Sequence, residues 1–364
     1  MLMNKTEEEI MQNWNLNFTE PLVTISTITF NHVKYIETAL DSFLSQETTF
    51  PFEILIHDDA STDGTSEIVR KYAEKFPNII KPIIQTENQW SKGVRNITCT
   101  YNMSRALGKY IALCECDDYW CDNKKLQKCC DFLENNKDYS TVVHQTNVID
   151  SEGNFQRAVC KYKGDTDIIT LNSYLEFPHT SSYFFRNPLK TDNQDAREKF
   201  NLVSGWDKSF VLFFIATGKV KYFSQPMSCY RYVNNTGDSW TASMGRTNRT
   251  KMIIEAETAQ LNQIKNYNLK INMAPHYYRN VMFYSLKFWL KQPSKENWNL
   301  FLLGFKSCPR KVFFFTWLLR KSFAVGVHKA KKLFMNNNTK HNTSGGGCNV
   351  RYFIAPTHFV KLAA

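Results

Sequence analysis

Apolar residues in the first part of the chain alternate between short unbroken runs and stripes with helical spacing. Residues 22–28 form a β-branched apolar run, which is typical of a buried parallel strand. Apolar positions then recur every three or four residues from Ile36 to Leu44, which predicts an amphipathic helix. The run 52–57 predicts the next strand. This order is a βαβ unit, so we expect the two strands to pair in parallel.

The same alternation continues along the chain and predicts the remaining elements. Stripes predict helices over 68–76, 101–107 and 206–217, and apolar runs predict strands over 79–85, 110–114, 141–149 and 181–185. From about residue 250 to 284 the pattern is helical with a polar face. We therefore predict an α/β fold with an open, mostly parallel sheet, flanking helices and a C-terminal helical appendage.

Acidic and polar side chains follow the predicted strands at the points where the strands end. Thr29 and Asn31 follow the first strand, and Asp58 and Asp59 follow the second. The carboxyl ends of parallel strands lie at one edge of a sheet, so these side chains are expected to approach one nucleotide there. Each residue is also common in an ordinary turn, and that alternative stays open.

A second acidic cluster, residues 115–118, follows the strand 110–114. Carboxylate oxygens are the ligands that Mg²⁺ and Mn²⁺ prefer, and substrate phosphates and water can complete the shell. A solvated acidic turn is the alternative. Trp120, which follows directly, either forms a wall of a sugar site or packs in the core.

Composition narrows the class of protein. The chain has 364 residues, 43% of them hydrophobic, which is enough for one large domain or a domain with an appendage. The net charge of +11 is concentrated between residues 250 and 335 and suits nucleic acid, an anionic membrane or a phosphorylated substrate. The ten cysteines lack a CxxC framework and no apolar leader precedes them, so we expect reduced thiols and a cytoplasmic protein.

The segment 299–326 mixes aromatic residues with Lys, Arg and a central Pro309. Proline and the charges argue against a spanning helix, whereas an interfacial helix would bury the aromatic rings among lipid headgroups. We expect either peripheral membrane contact through residues 299–335, at the inner face of the membrane, or ordinary packing. Residues 336–364 are rich in Asn, Ser and Gly and are expected to form a flexible tail.

Three motifs occur together in a recognisable order: residues 23–31, 57–64 and 115–120. In this order and spacing they resemble the family 2 glycosyltransferases, over roughly residues 20 to 240. The resemblance implies a GT-A (Rossmann-like) fold, an inverting mechanism and an activated donor such as a UDP- or dTDP-sugar.

The resemblance also implies roles for individual residues. Asp59 would contact the base, Asp117 would contact the ribose, and Asp118, with Asp117, would hold Mn²⁺ or Mg²⁺. Glu115 stands where the family more often has Asp, so it keeps the charge with a longer reach. We count Glu115 among the residues that bind the nucleotide sugar, together with the earlier candidates Thr29, Asn31, Asp58, Asp59, Asp117 and Trp120.

Later in the chain the resemblance implies the residues that act on the acceptor. Asp207 opens the predicted helix 206–217 and would be the catalytic base, although an acid is also favourable at a helix N-terminus for structural reasons. Arg231 would lie near the donor phosphates. His179 lies where related chains line the acceptor cleft, and a structural imidazole is equally open. Many relatives carry a His shortly after the aromatic-Arg pair, but residues 233–235 contain none.

The predicted domains are an N-terminal polar helix (1–20), a GT-A catalytic domain (21–245), a basic and aromatic helical appendage (246–335) and a tail (336–364). The predicted activity is metal-dependent transfer of a hexose from a nucleotide-diphosphate donor to a saccharide or lipid-linked glycan acceptor, in polysaccharide or surface-glycan biosynthesis. A non-catalytic nucleotide-sugar or glycan-binding module is the alternative. A nucleotidyltransferase would have a Gly-rich loop after the first strand, which is absent, and a nucleic-acid partner is not expected.

Overall fold

In the computed structural model the chain forms two compact units, 1–307 and 308–364. The second unit is described only over 308–320, where residues 311–320 are helical. The predicted tail and residues 233–235 lie outside the described part of the chain. The structure describes residues 5–159, 162, 164–168, 177–204, 207–232 and 246–320, except for the side chains at 168, 246–249 and 279.

Within the described residues, ten strands form one sheet. They are β1 (Val23–Thr29), β2 (Phe52–Asp58), β3 (Ile80–Ile84), β4 (Tyr110–Leu113), β5 (Tyr119–Trp120), β6 (Tyr139–Ile149), β7 (Phe155–Ala158), β8 (Thr166–Ile168), β9 (Phe184–Arg186) and β10 (Lys219–Arg231). The strand order is β3-β2-β1-β4-β9-β6-β10-β5, with β7 beside β6 and β8 beside β10.

The sheet is mixed, with most strands running in one direction. β3, β2, β1 and β4 are parallel neighbours. β9 is antiparallel to both β4 and β6, so β6 and its parallel neighbour β10 share the direction of β1. The predicted α/β fold with a mostly parallel sheet is confirmed. Short antiparallel strands, β5 and β8, lie against the long β10.

Helices flank the sheet, and further helices follow its last strand along the chain. They are α1 (Glu7–Met11), α2 (Ile36–Leu44), α3 (Thr65–Lys75), α4 (Lys125–Asn135), α5 (Gln194–Phe200), α6 (Asp207–Thr217), α7 (Arg246–Asn266), α8 (Phe283–Lys291) and α9 (Lys295–Ser307). α2 buries the apolar stripe that the sequence shows, including Ala39, Leu40 and Phe43. Along the described helices, no stretch is both long and apolar enough to cross a bilayer.

The helix predicted over 101–107 is replaced by two short turns. A π-helical turn, Thr98–Asn102, runs into a 3₁₀ turn, Met103–Arg105. The Asn102 amide is fully buried and donates to the Thr27 carbonyl of β1 at 2.9 Å. This tertiary contact ties the segment to the sheet and takes precedence over its helical spacing.

A close approach then sets the start of β4. A Cβ at Gly108 would lie 2.4 Å from the Thr24 backbone nitrogen, so only glycine fits there. The buried Glu53 carboxylate accepts hydrogen bonds from the Thr24 hydroxyl at 2.6 Å and from the Leu107 amide at 2.8 Å. β4 is therefore fixed against β1, and the acidic segment that follows β4 is fixed with it.

Candidate active site

The loops after β1, β2 and β4 meet at one edge of the sheet, as predicted. The Asp59 amide donates to the Thr29 carbonyl at 3.0 Å, and the Cys116 amide donates to the Ile28 carbonyl at 3.1 Å. Because both contacts are made to the end of β1, the two acidic segments lie on either side of the same strand.

The carboxylate of Asp58 is fully buried and is engaged within its own loop. Its oxygens accept hydrogen bonds from the Ser61 amide at 3.0 Å, from the Ser61 hydroxyl at 2.6 Å and from the Ser66 hydroxyl. The structure therefore places Asp58, predicted as a nucleotide contact, in a turn-forming role.

Asn31 and Thr29 shape the facing loop. Asn31 has a φ of 57° and Ala60 a φ of 64°, both in the left-handed region that non-glycine residues seldom adopt. The Asn31 side chain accepts a hydrogen bond from the Thr62 amide at 2.8 Å, which holds the two left-handed loops together. Thr29 is 2% exposed, and its hydroxyl has no hydrogen-bond partner among the described residues. Backbone strain of this kind clusters at ligand-binding sites.

Asp59 fixes the next loop along the edge. Its two carboxylate oxygens accept hydrogen bonds from the Gln89 amide at 2.7 Å and from the Trp90 amide at 3.1 Å. The Trp90 ring lies 4.5 Å from the Arg95 guanidinium. Asp59, predicted to contact the base, thus acts here through the backbone of a loop that borders the site.

His32 is a residue of this edge to which the sequence analysis assigned no role. Its Nε2 lies 4.0 Å from an Asp117 carboxylate oxygen, and its Nδ1 is buried without a hydrogen-bond partner in the described structure. The available signal was its position next to Asn31 in the loop after β1.

Asp118 is the most deeply placed carboxylate of the second cluster. It is 2% exposed, its Oδ1 accepts the Arg231 backbone amide at 2.8 Å, and its Oδ2 lies 3.5 Å from Nδ1 of His179. Burial, and then the charge of Asp117, raise the pKa of Asp118 well above its usual range. The backbone amide and the charge of Arg231 lower this pKa only in part, so burial and the neighbouring carboxylates prevail.

Asp207, the first residue of α6, belongs to the same cluster. Burial, followed by the charges of Asp117 and Asp207, raises the pKa of Glu115 to about 8. Burial also raises the pKa of Asp207. Yet Glu115 and Asp207 are both exposed to water. Side chains that are surrounded by protein and still reached by water lie in a cleft, so the acidic turn and the start of α6 share one.

His179, predicted on the acceptor side, lies beside Asp118. Its ring stacks on Tyr230 at 4.0 Å, and its Nδ1 accepts a hydrogen bond from the Ser181 amide at 3.3 Å. Burial lowers the pKa of His179 to about 4, so the imidazole is neutral at pH 7. Because Nδ1 accepts this hydrogen bond, the proton of the neutral ring lies on Nε2, and the ring brings no positive charge to this part of the cleft.

Trp120, predicted as a sugar-site wall or a core residue, is 4% exposed and packs on Phe43 at 4.7 Å. Its indole N–H donates to the Ser181 carbonyl at 3.1 Å. The buried ammonium of Lys125 donates to the same carbonyl at 3.0 Å and lies 3.7 Å from the Trp120 ring. The two side chains fix the turn that carries His179, and the sequence analysis did not find Lys125.

Arg231 links the cleft loops and does not point freely at a substrate. Its Nε donates to the Asp117 carbonyl at 3.1 Å, and one terminal nitrogen donates to the carbonyls of Asp150 and Ser151 at 3.1 and 3.0 Å. Its guanidinium lies 4.3 Å from the Tyr35 ring. Arg231 thus holds the acidic turn in place, and its charge lowers the pKa of Asp118 in part.

The donor set of the cleft fits a hard divalent cation. Asp117 and Asp118 are neighbours in one turn, and burial, followed by the charge of Asp117, raises the pKa of both Asp118 and Glu115. The described residues contain no preformed group of three or more metal ligands. A cation here would take two protein carboxylates and complete its shell with donor phosphates and water, as Mg²⁺ commonly does.

Comparisons with known proteins bear on this site. Residues 24–193 match the family described as glycosyl transferase family 2, which confirms the resemblance seen in the motifs. Over 132 residues the chain is 39% identical to an uncharacterized protein of Mycobacterium tuberculosis, covering 36% of this chain and 37% of that protein. It is 36% identical over 123 residues to the putative teichuronic acid biosynthesis glycosyltransferase TuaG of Bacillus subtilis, covering 34% and 44%. The chain thus spans less than half the length of these two relatives.

A longer match and two solved structures extend the likeness. An uncharacterized glycosyltransferase of Nostoc is 24% identical over 323 residues, covering 82% of this chain and 94% of that protein. The crystal structure of S. aureus TarS 1-349 has a TM-score of 0.52 at 17% identity, covering 79% of this chain and 81% of that one. Its complex with UDP-GlcNAc has a TM-score of 0.55 at 16% identity, with the same coverage. This likeness confirms the predicted GT-A fold.

Proposed function

We propose, from the match of residues 24–193 to glycosyl transferase family 2, that the chain transfers a sugar from a nucleotide-diphosphate donor to an acceptor hydroxyl with inversion. The proposal rests on the position of Asp207 at the start of α6, near enough to the acidic turn after β4 for its charge to raise the pKa of Glu115, after burial and the charge of Asp117. This position supports a cleft with donor-binding carboxylates on one wall and a base on the other. The TuaG relative and the bound UDP-GlcNAc of TarS support a surface-glycan product and a UDP-sugar donor.

In the proposed reaction Asp207 accepts the proton of the acceptor hydroxyl as that oxygen attacks the anomeric carbon. The bond from the anomeric carbon to the diphosphate oxygen breaks on the opposite face, and the nucleoside diphosphate leaves. The raised pKa of Asp207 brings the base closer to the working pH, which favours proton transfer. The cleft stays open to water at Asp207, so an acceptor hydroxyl can reach it.

Asp117 and Asp118 are the residues proposed to hold Mn²⁺ or Mg²⁺. When bound, the ion supplies Lewis-acid neutralisation of the leaving diphosphate. The chain's own contribution is to fix Asp118 through the Arg231 amide and to place His179 at 3.5 Å from its free oxygen. A hexose is the proposed sugar, in line with the resemblance.

The test is a panel of nucleotide sugars assayed for donor hydrolysis and transfer, with and without Mn²⁺. We expect turnover with at least one donor, loss of that turnover on chelation, and its loss in Asp118→Asn. Donor binding without turnover in any condition would favour the non-catalytic binding module. Absence of both binding and turnover across the panel would contradict the proposal.

We also propose peripheral membrane contact by the C-terminal segment. In the described helix of the second unit, Val312 is 76% and Leu319 70% exposed, among basic residues. Exposed apolar and basic side chains together favour an anionic lipid surface. Sedimentation with phosphatidylglycerol vesicles should be reduced in Val312→Glu, whereas the control Leu16→Glu, at a leucine that is 95% exposed near the N-terminus, should bind as the wild type does. Equal sedimentation with neutral vesicles would contradict an electrostatic contribution.

A further inference from the structure

A reciprocal hydrogen-bonded pair joins the C-terminal helices to the first turn of α6. The Ser209 hydroxyl donates to Oε1 of Gln263 on α7 at 2.7 Å, and Nε2 of Gln263 donates back to the Ser209 carbonyl at 2.9 Å. Ser209 is 0% and Gln263 1% exposed. Both the oxygen and the nitrogen of the Gln263 side-chain amide therefore form hydrogen bonds with Ser209, which lies two positions after Asp207.

Ser209 and Gln263 each form further hydrogen bonds with neighbouring segments. The Ser209 hydroxyl accepts the Ser204 amide at 2.9 Å, so it also holds the chain that enters α6. Nε2 of Gln263 donates to the Tyr267 hydroxyl at 2.8 Å, which donates in turn to the Lys199 carbonyl at 2.5 Å at the end of α5. One side chain on α7 thus connects the segments before and within the first turn of α6.

This turn determines where the Asp207 carboxylate lies. Among the described residues, the hydrogen bond that lowers the pKa of Asp207 comes from its own backbone amide, which ties the carboxylate to the backbone of the first turn. The side chain lies in the cleft, where water still reaches it. A small rotation of the first turn would therefore move the base relative to the acceptor hydroxyl.

We propose that Gln263 is a positioning residue for glycosyl transfer: it orients Asp207 from α7, outside the family-matched region 24–193. The inference rests on the proposed function, in which Asp207 is the base. It makes the helical appendage part of the catalytic machinery, because the base is held by a side chain of that appendage. A base displaced by about 1 Å loses on the order of 100-fold in rate, which sets the expected scale.

The test compares two buried glutamines on one helix. Gln263→Leu removes both hydrogen bonds to Ser209. The matched control, Gln260→Leu, changes another buried glutamine of α7, which is 3% exposed and lies one turn earlier. We expect Gln263→Leu to lower kcat for transfer by roughly 10- to 100-fold while the donor Kd changes less than about twofold. Gln260→Leu should keep kcat within about threefold. An equal loss in both variants would overturn the proposal, since it would reflect general destabilisation of α7.

A double-mutant cycle with Asp207→Asn separates positioning from a general effect. If Gln263 acts through Asp207, adding Gln263→Leu to Asp207→Asn causes no further loss of kcat. Losses that multiply would overturn the inference and leave the proposed function intact. If Asp207→Asn alone has no effect on turnover, the proposed function itself fails. Should Gln263→Leu not fold, Ser209→Ala, which removes the hydroxyl and keeps the carbonyl, takes its place in the same cycle.

Discussion

Asp207→Asn is the substitution that distinguishes a catalytic base from a helix-capping acid. Asparagine has nearly the same size and keeps an acceptor oxygen at the first residue of α6, but it cannot take a proton from an alcohol. If Asp207 is the base, transfer should fail while the fold and donor binding persist.

A catalytic base and a helix-capping acid predict losses of different size in kcat and in stability. General base catalysis contributes roughly 10²- to 10⁴-fold, or about 3 to 5 kcal/mol in the barrier. An acid at a helix N-terminus contributes only about 0.3 to 1 kcal/mol to stability. Loss of the Asp207 charge also relieves its repulsion of Glu115, whose pKa of about 8 should fall, and this offsets part of the lost helix interaction. We therefore expect kcat to fall at least 100-fold with less than about 1 kcal/mol change in the free energy of unfolding.

The assay measures transfer kinetics, donor Kd and urea unfolding for Asp207→Asn and for a control, Asp195→Asn. Asp195 is also an acid in the first turn of a helix, α5, where it pairs with Lys199 on the surface. The control should keep kcat within about twofold and lose a few tenths of a kcal/mol in stability. If Asp207→Asn retains more than a tenth of the wild-type kcat, Asp207 is not the base.

Three further predictions concern titration and the support of the cleft. Because burial raises the pKa of Asp207, the acid limb of kcat/KM should lie above the ordinary carboxyl value of about 3.9, with activity rising as the base deprotonates; a limb that persists unchanged in Asp207→Asn contradicts this. Burial lowers the pKa of Lys125 to about 8, so between this pH and about 10.4 the unfolded chain binds more protons. The unfolding free energy of the wild type should therefore rise relative to that of Lys125→Met by about 2 to 3 kcal/mol between pH 8 and 10.5 in urea titrations, and a constant difference would refute the argument. Trp120→Phe removes the indole donor to Ser181 and should cost about 1 kcal/mol of stability with little change in donor Kd, whereas a large rise in Kd at unchanged stability would place Trp120 against the sugar.

The first half of the fold could be predicted because its signals are local. Strand β1, helix α2 and strand β2 begin and end within one or two residues of the predicted bounds. Each is short, strongly patterned and bounded by turn residues, so the period of its apolar positions is sufficient.

Elements that depend on distant partners could not be predicted in this way. β10, Lys219–Arg231, contains Pro226 and polar residues, and it pairs with β6 through register shifts near Phe223 and Pro226. A strand with such irregularities shows no period of two in the sequence. The helix expected over 101–107 failed for the opposite reason, since its local pattern was helical and the Asn102 contact with β1 prevailed.

The candidate site shows the same division between local and distant information. Motif order was enough to bring Asp59, Glu115 and Asp118 to one edge, because strand ends determine that edge, whereas Asp207 was assigned only through the family resemblance. It could not say that the Asp59 oxygens hold the amides of Gln89 and Trp90, since that depends on how a loop folds back.

A buried lysine lies outside what residue type predicts. Lys125 follows the acidic turn in a polar stretch, and Lys is almost never fully buried without a partner. Its burial makes sense only with the fold in hand, where the Ser181 carbonyl and the Trp120 ring receive the ammonium. The same holds for Gln263, whose partner Ser209 is 54 positions away in the chain.

These distant contacts also bear on the electrostatics of the cleft. Lys125 and Arg231 donate hydrogen bonds to carbonyl oxygens of the loops, whereas burial raises the pKa of the carboxyl groups of Asp118 and Asp207. The two basic side chains thus hold loop backbone, and the charge of Arg231 compensates Asp118 only in part. Such an arrangement raises the pKa of the cleft carboxyls, and it is unfavourable until a cation or a proton arrives. In the proposed function, a metal-diphosphate donor would neutralise these carboxylates, and Asp207, which is exposed to water, would meet the acceptor alcohol.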